Sequence, residues 1–434
     1  MGRRRKAAVA VADRRSGVFY GWIMLPATAL AQVTSWGILY YGFTVFLAPM
    51  GADLGWSRAA MTGAFSLALA CSGLAALPVG RWLDRHGPRV LMTSGSIAAA
   101  LLLLAWSRVT TIWAFYLIWI GLGVTLGAVL YEPAFWLVAT WFRRQRSRAL
   151  TLLTFIGGFA SVIYIPLIAW LVRVQGWRAA LVSLAVILAF GTIPIHALVL
   201  RRRPEDRGLL PDGAVAPPLD LPVTETAERS TTLGDALHGA AFWFLVVAFF
   251  LATLATGAIF VHLIPYLTEQ GYDPAFAAWA TGLIGIMGLP GRLFFTPLGG
   301  RIPRRWVTAG IFALQTTALL VLLTVHSRTG VIAFVVLFGA GFGAITPARA
   351  ALIADFYGPA YYGRISSVLS LFLTGSRALA PVGAGLLYTL NGGYGTALWA
   401  LTVGSALATV AVLFADHRPG PASQAVATIP GRAG

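Results

Sequence analysis

Four ionisable residues stand inside long apolar runs of this sequence: Glu132, Arg292, Arg349 and Arg377. A charge at the centre of a bilayer costs at least ~2.5–3.5 kcal/mol on insertion scales, so each needs a partner, water or a bound ion. Three guanidinium groups against one carboxylate leave positive charge in excess, and a bound anion would complete the balance. Guanidinium is a planar, two-pronged donor that matches a carboxylate. On a helix, Arg292 shares its face with Gly285, Gly288 and Gly299, at i−7, i−4 and i+7. Those glycines leave room for a ligand or for close helix approach. Arg377 lies on a polar stripe with Ser370 and Thr374, suited to substrate contact, to helix packing or to a gate.

Glu132 and Arg349 fall at similar depths in the fourth and tenth apolar runs. Either they pair and hold one access state closed, or Glu132 takes up a coupling proton. Burial disfavours a charged carboxyl and a nearby arginine favours it, so anion and proton would compete for one charge balance. His262, with Tyr266 one turn on, is either a group that titrates near neutral pH or a satisfied packing residue. Gln32, Ser35 and Tyr40 in the first run can offer hydrogen bonds to a cavity, and His196 and His326 are expected at the membrane interface.

The elements that hold these groups follow from composition. Of 434 residues, 58% are hydrophobic and only 11% charged, against roughly 25% charged in a soluble domain. The apolar runs are about 20 residues long, enough to cross a ~30 Å core, and inside it they must be helices. Spans are predicted at about 19–46, 59–81, 90–107, 111–141, 149–172 and 178–200, then 240–267, 275–300, 306–325, 330–354, 365–389 and 395–414.

A formal charge of +17 suggests nucleic acid at first, but the arginines alternate by loop instead of forming one face. Arg3, Arg4, Arg5, Lys6, Arg14 and Arg15 precede span 1; Arg85 and Arg89 follow span 2; Arg143, Arg144, Arg146 and Arg148 follow span 4; Arg304 and Arg305 follow span 8. By the positive-inside bias both termini are cytoplasmic, so the number of spans is even. The proline-rich stretch 201–238 reads as a flexible linker. The organisation is therefore a cytoplasmic tail 1–18, a six-helix bundle 19–200, a cytoplasmic linker 201–238, a second six-helix bundle 239–415 and a cytoplasmic tail 416–434. Cys71 is the only cysteine, so no disulfide forms within one chain.

The two halves repeat. Gly55-Trp-Ser-Arg-Ala59 returns as Gly271-Tyr-Asp-Pro-Ala275, Trp141-Phe142 as Phe356-Tyr357, Pro166 as Pro381, and Gly176-Trp177 near Gly393-Tyr394. Parallel repeats of this kind put a substrate site at their interface, near mid-membrane. After span 2 stands Gly80-Arg-Trp-Leu-Asp84-Arg85-His-Gly87-Pro-Arg89, which resembles the Gly-x-x-x-Asp-Arg-x-Gly-x-Arg signature of the major facilitator superfamily. Its second copy, Gly299-Gly300-Arg301-Ile-Pro-Arg304-Arg305, lacks the acid. The resemblance implies an all-α membrane fold of twelve helices in two pseudo-symmetric six-helix bundles, with Gly80, Asp84, Arg85, Gly87 and Arg89 as a conformational motif.

Tyr20-Gly21-Trp22 and Trp141-Phe142-Arg143-Arg144-Gln-Arg146-Ser-Arg148-Ala149 narrow the resemblance to the monocarboxylate transporters. Val261-His-Leu-Ile-Pro-Tyr-Leu267 and Arg377-Ala-Leu-Ala-Pro381 resemble the bacterial branch with its oxalate/formate-type antiporters. That family binds the substrate carboxylate with an arginine of span 8, the position of Arg292, and the antiporters place a basic residue near Arg377. Two positions depart from it: the aspartate four residues before Arg292 is Gly288, and the lysine of span 1 aligns with Tyr41. These put the mammalian-type proton relay in question.

The expected function is secondary transport of a small organic anion, a monocarboxylate first, by alternating access with proton symport or anion exchange. Arg292, Arg377, Tyr41, Gln32 and Tyr40 would bind substrate; Glu132, Arg349 and His262 would couple protons or gate. The alternative is a proton-coupled drug or metabolite efflux antiporter, whose Gly-Pro-x-x-Gly-Gly motif is absent from Thr154–Pro166. The sequence contains no Gly-x-x-x-x-Gly-Lys loop, no Cys/His cluster and no Ser/His/Asp set, so neither ATP drive, nor a metal or cofactor, nor enzyme chemistry is expected. The expected setting is a bilayer, the bacterial inner membrane, with protons or a counter-anion as partners, no nucleic acid, and a monomer.

Overall fold

The computed structural model describes residues 18–213 and 230–415. The expectations for the tails before residue 18 and after residue 415, and for linker residues 214–229, fall outside them. Among the described residues, eleven helices are long and apolar enough to cross a membrane. One of them, Arg146–Val199, has 54 residues. At 1.5 Å per residue that is roughly 80 Å of helix, far more than one crossing needs. It breaks at Gly176, whose φ of 77° and ψ of 162° are open only to a residue without Cβ. Trp177 and Arg178 then tie the corner to Asp53, at 3.1 and 3.2 Å. This helix therefore supplies spans 5 and 6, so the described residues hold twelve spans, as expected.

Two compact units contain them: Met1–Glu228 with Tyr362–Leu371, and Arg229–Tyr361 with Phe372–Gly434. Span 11, Tyr362–Asn391, thus has its opening turns in the first unit. The repeat seen in sequence extends to the helix starts. Ser57 caps span 2 and Asp273 caps span 8; Thr111 caps span 4 and Ser327 caps span 10. In each case a side-chain oxygen accepts a backbone N–H that the first turn leaves unsatisfied.

Inside each unit the spans pack through small residues. Span 8 (Pro274–Leu298) meets span 10 (Arg328–Tyr357) at backbone distance, and a Cβ at Gly343 would overlap the carbonyl oxygen of Gly288. Lipid is as apolar as leucine, so such contacts hold by close packing more than by the hydrophobic effect. Gly288, one of the glycines on the Arg292 face, therefore serves helix approach, whereas Gly285 has open space beside it.

Residues 201–213, expected as part of a flexible linker, are held against the first unit. Asp212 accepts from the backbone N–H groups of Arg143, Arg144 and Gln145 at 3.2, 2.7 and 3.2 Å. Successive N–H groups of this kind form a nest for an anion. Arg207 stacks over Tyr20, 3.9 Å from the ring centre. Asp212 adopts φ 61°, a left-handed conformation that its carboxylate contacts must offset. Replacing Asp212 with alanine should cost about 1 kcal/mol, seen as a lower Tm and as faster tryptic cleavage after Arg207.

His196 is a second departure. Expected at the membrane interface, it is fully buried, with Nδ1 2.9 Å from Ser96 Oγ and 3.2 Å from the Met92 carbonyl. Its polar partners come from span 3 (Pro88–Ser107), which sequence spacing does not reveal.

Candidate functional site

Span 4 is not one helix. It runs over Ile112–Val129, breaks at Leu130 (φ −81°, ψ −153°) and resumes over Tyr131–Trp141. Pro133 is the local cause: it has no N–H to return to the carbonyl of Val129. Gln32 of span 1 repairs the gap. Its Nε2 donates to Val129 O at 2.8 Å and to Leu130 O at 3.3 Å. Gln32 itself is fully buried. A bilayer tolerates a helix break only where other protein groups satisfy the freed backbone.

The break puts Glu132 in the first turn of the resumed helix, where the helix dipole favours an anion. Its carboxylate is half-buried and accepts from Ser366 Oγ at 2.6 Å and Ser370 Oγ at 2.8 Å, both in the opening turns of span 11. Protonation of one oxygen would convert an acceptor into a donor and disturb one of these two bonds. Next to it in the chain, Tyr131 joins an aromatic cluster with Trp36 (5.1 Å), which in turn packs on Tyr40 (5.1 Å) and Tyr41 (6.2 Å). Trp36–Tyr41 is a π-helical stretch within span 1, a local irregularity frequent at functional sites.

The motif after span 2 assembles in the same unit. Asp84 accepts from the backbone N–H of Gly363 (2.9 Å) and Arg364 (3.1 Å) and from Trp136 Nε1 (3.1 Å), and its carboxylate lies 3.6 Å from Arg364 Nε. It therefore closes the start of span 11. Gly80 admits that helix, since a Cβ there would overlap the carbonyl of Gly363. Gly87 turns the chain with φ 76°, Arg89 Nε donates to Ala197 O at 2.7 Å, and Arg85 is exposed. In the second unit the acid missing from the repeated motif comes from span 10, where Asp355 pairs with Arg304 at 2.6 Å.

The second unit holds the other candidates. Arg292 is half-buried in span 8, and its Nε donates to Gly343 O in span 10 at 3.1 Å. The backbone contact of Gly288 and Gly343 brings that carbonyl within reach. Arg349 is buried in span 10, while the Arg377 side chain is largely uncovered by protein in span 11. His262 joins span 7 (Ala240–Glu269) to Pro381 and Tyr394. The structure thus gathers Gln32, Tyr40, Tyr41 and Glu132 in one unit and Arg292, Arg349, Arg377 and His262 in the other. Ser366, Trp136 and the break at Leu130 were missed from sequence, although Pro133 beside Glu132 was an available signal.

A twelve-span helical fold with two repeated bundles and this motif defines a class. Residues 27–325 and 271–430 match the Major Facilitator Superfamily, and the chain belongs to it. It is a multi-pass membrane transporter and not an enzyme. In sequence it is similar to monocarboxylate transporter 13 of Bos taurus, 28% identical over 387 residues that cover 86% of this chain and 84% of that protein. It is also similar to the oxalate:formate antiporter of Oxalobacter formigenes, 23% identical over 408 residues and 92% of each chain. Its fold is that of the E. coli fucose:proton symporter FucP, with a TM-score of 0.69 at 15% identity, over 92% of this chain and 100% of that one. A bacterial homologue of the iron transporter ferroportin gives a TM-score of 0.71 at 15% identity with the same coverage.

Proposed function

We propose that the chain is a secondary transporter of a small organic anion, a monocarboxylate first, working by alternating access with proton symport or anion exchange. The observation that carries this reading is Arg292: a guanidinium in a membrane span, held by its Nε on the Gly343 carbonyl. Guanidinium is a planar, two-pronged donor of the kind that matches a carboxylate. The names of the two relatives, a monocarboxylate transporter and an oxalate:formate antiporter, support the same substrate class. Arg377 is the second candidate contact, and Glu132, in its pair of serine hydroxyls, the candidate proton carrier. The test is uptake into proteoliposomes of labelled lactate, pyruvate, oxalate and formate beside a cationic dye. Saturable uptake of an anion is expected, and uptake of the dye alone would overturn the reading.

The arginine-rich loops after spans 2, 4 and 8 further support an orientation with both termini and the 201–238 linker in the cytoplasm. Trypsin should cut that linker in inside-out vesicles and leave it intact in sealed cells. Cleavage only from outside would reverse the orientation.

A further inference from the structure

The turn after span 4 already holds an anion, and that anion is the chain's own. The backbone N–H groups of Arg143, Arg144 and Gln145 converge on one carboxylate: Asp212 Oδ2 accepts the first two and Oδ1 the third. These residues precede the helix Arg146–Gly157, so the donors form a nest in the turn before it and are not the orphan N–H groups of its first turn. Two of the three donors belong to arginines, whose exposed side chains add positive charge to the same turn.

The internal repeat supplies a comparison. By the offset that carries Trp141-Phe142 onto Phe356-Tyr357, Arg143-Arg144-Gln145 falls on Gly358-Pro359-Ala360. There the other end of the linker docks with a neutral group: Ser230 Oγ accepts from Ala360 N–H at 3.2 Å, and Thr231 N–H donates to Tyr357 O at 2.9 Å. Pro359 has no N–H, and that of Gly358 is taken by Ala354 O at 3.0 Å, so one donor is left for the linker. The turn with three donors and two arginines takes a carboxylate; the turn with one donor and no arginine takes a hydroxyl. The occupant follows the charge of the turn, which marks the first as an anion site and not a generic linker contact.

We propose that the turn 143–145 is a carboxylate-binding site, that Asp212 is its tethered ligand, and that a free carboxylate competes with Asp212 for it. Asp212 binds at a cost, because its φ of 61° is unfavourable for a residue with a Cβ. A free carboxylate making the same three bonds has no such strain to offset. What favours Asp212 is its tether, which for a short flexible linker gives an effective concentration on the order of millimolar. The segment is also held by Arg207 over Tyr20 and by Gly213 against the ring of Phe19. On the anion-transport reading, the carboxylate pool on that side of the membrane would set how long the linker stays docked; the site itself does not rest on that reading.

The experiment probes the full-length protein in detergent with acetate, against chloride at equal ionic strength, in wild type and in Asp212→Gly. Glycine accepts the left-handed φ, so the variant loses the carboxylate without straining the backbone. In chloride the variant should melt below wild type. Acetate at about 100 mM, well above the effective concentration of the tether, should close that gap by about 2–4 °C. Tryptic cleavage after Arg207 should stay fast in the variant, because acetate fills the turn without retying the linker. In wild type, acetate should speed that cleavage toward the variant's rate. A gap that acetate closes no more than chloride does, or wild-type cleavage indifferent to acetate, would overturn the proposal. Neither readout requires transport, so a protein that moves no anion would overturn the transport reading and leave this test intact.

Discussion

Substituting Arg292 with lysine is expected to raise the transport KM for an organic anion by roughly 10- to 150-fold while insertion and folding persist. The range is what losing a charge-assisted contact of roughly 1.5–3 kcal/mol would give. Lysine keeps the charge but has neither the planar fork nor an Nε. It cannot hold the Gly343 carbonyl, now bonded at 3.1 Å, and present two parallel donors to a carboxylate as well. Alanine at the same position should abolish anion transport. Kinetics in proteoliposomes, with Tm and size-exclusion profile as folding controls, make the comparison. A folded alanine variant that transports the anion with unchanged KM would remove Arg292 from the site and make Arg377 the first candidate.

Glu132→Gln should abolish proton-driven accumulation of the anion and preserve exchange of anion for anion. Exchange needs no change of protonation between its half-cycles, whereas net accumulation does. In the structure both oxygens of Glu132 accept from serine hydroxyls, so an incoming proton must displace or reverse one of those bonds. Glutamine resembles the protonated acid in carrying a donor on one side and fixes that state. The measurement is uptake driven by an imposed pH gradient beside counterflow at equal pH. Accumulation that survives with normal pH dependence would reduce Glu132 to a structural partner of Ser366 and Ser370.

Much of this molecule is written locally in its sequence. Runs of about 20 apolar residues, the arginine-rich loops, the glycine turns and the recurring landmarks are read over a few neighbours at a time. They gave twelve spans in two repeats, because a bilayer permits little except helices for such segments. The intramembrane charges were legible for the same reason: an arginine or glutamate is conspicuous where every neighbour is apolar.

What each charge touches was decided by the tertiary structure. Ser366 and Ser370 lie 234 and 238 residues from Glu132, and Gly343 lies 51 residues from Arg292. In a soluble helix the apolar stripe marks the face turned to the core. Here lipid and neighbouring helices are equally apolar, so periodicity cannot tell the packed face from the lipid-facing one. Hence the bonds of Gln32 to Val129 and Leu130 were not legible, and His196 looked peripheral and proved fully buried. The acid paired with Arg304 likewise comes from span 10, outside the repeated motif. The sequence by itself determined the spans and which residues carry charge within them; packing alone chose the partners, because a buried polar group takes whichever donor or acceptor the neighbouring helix brings within reach.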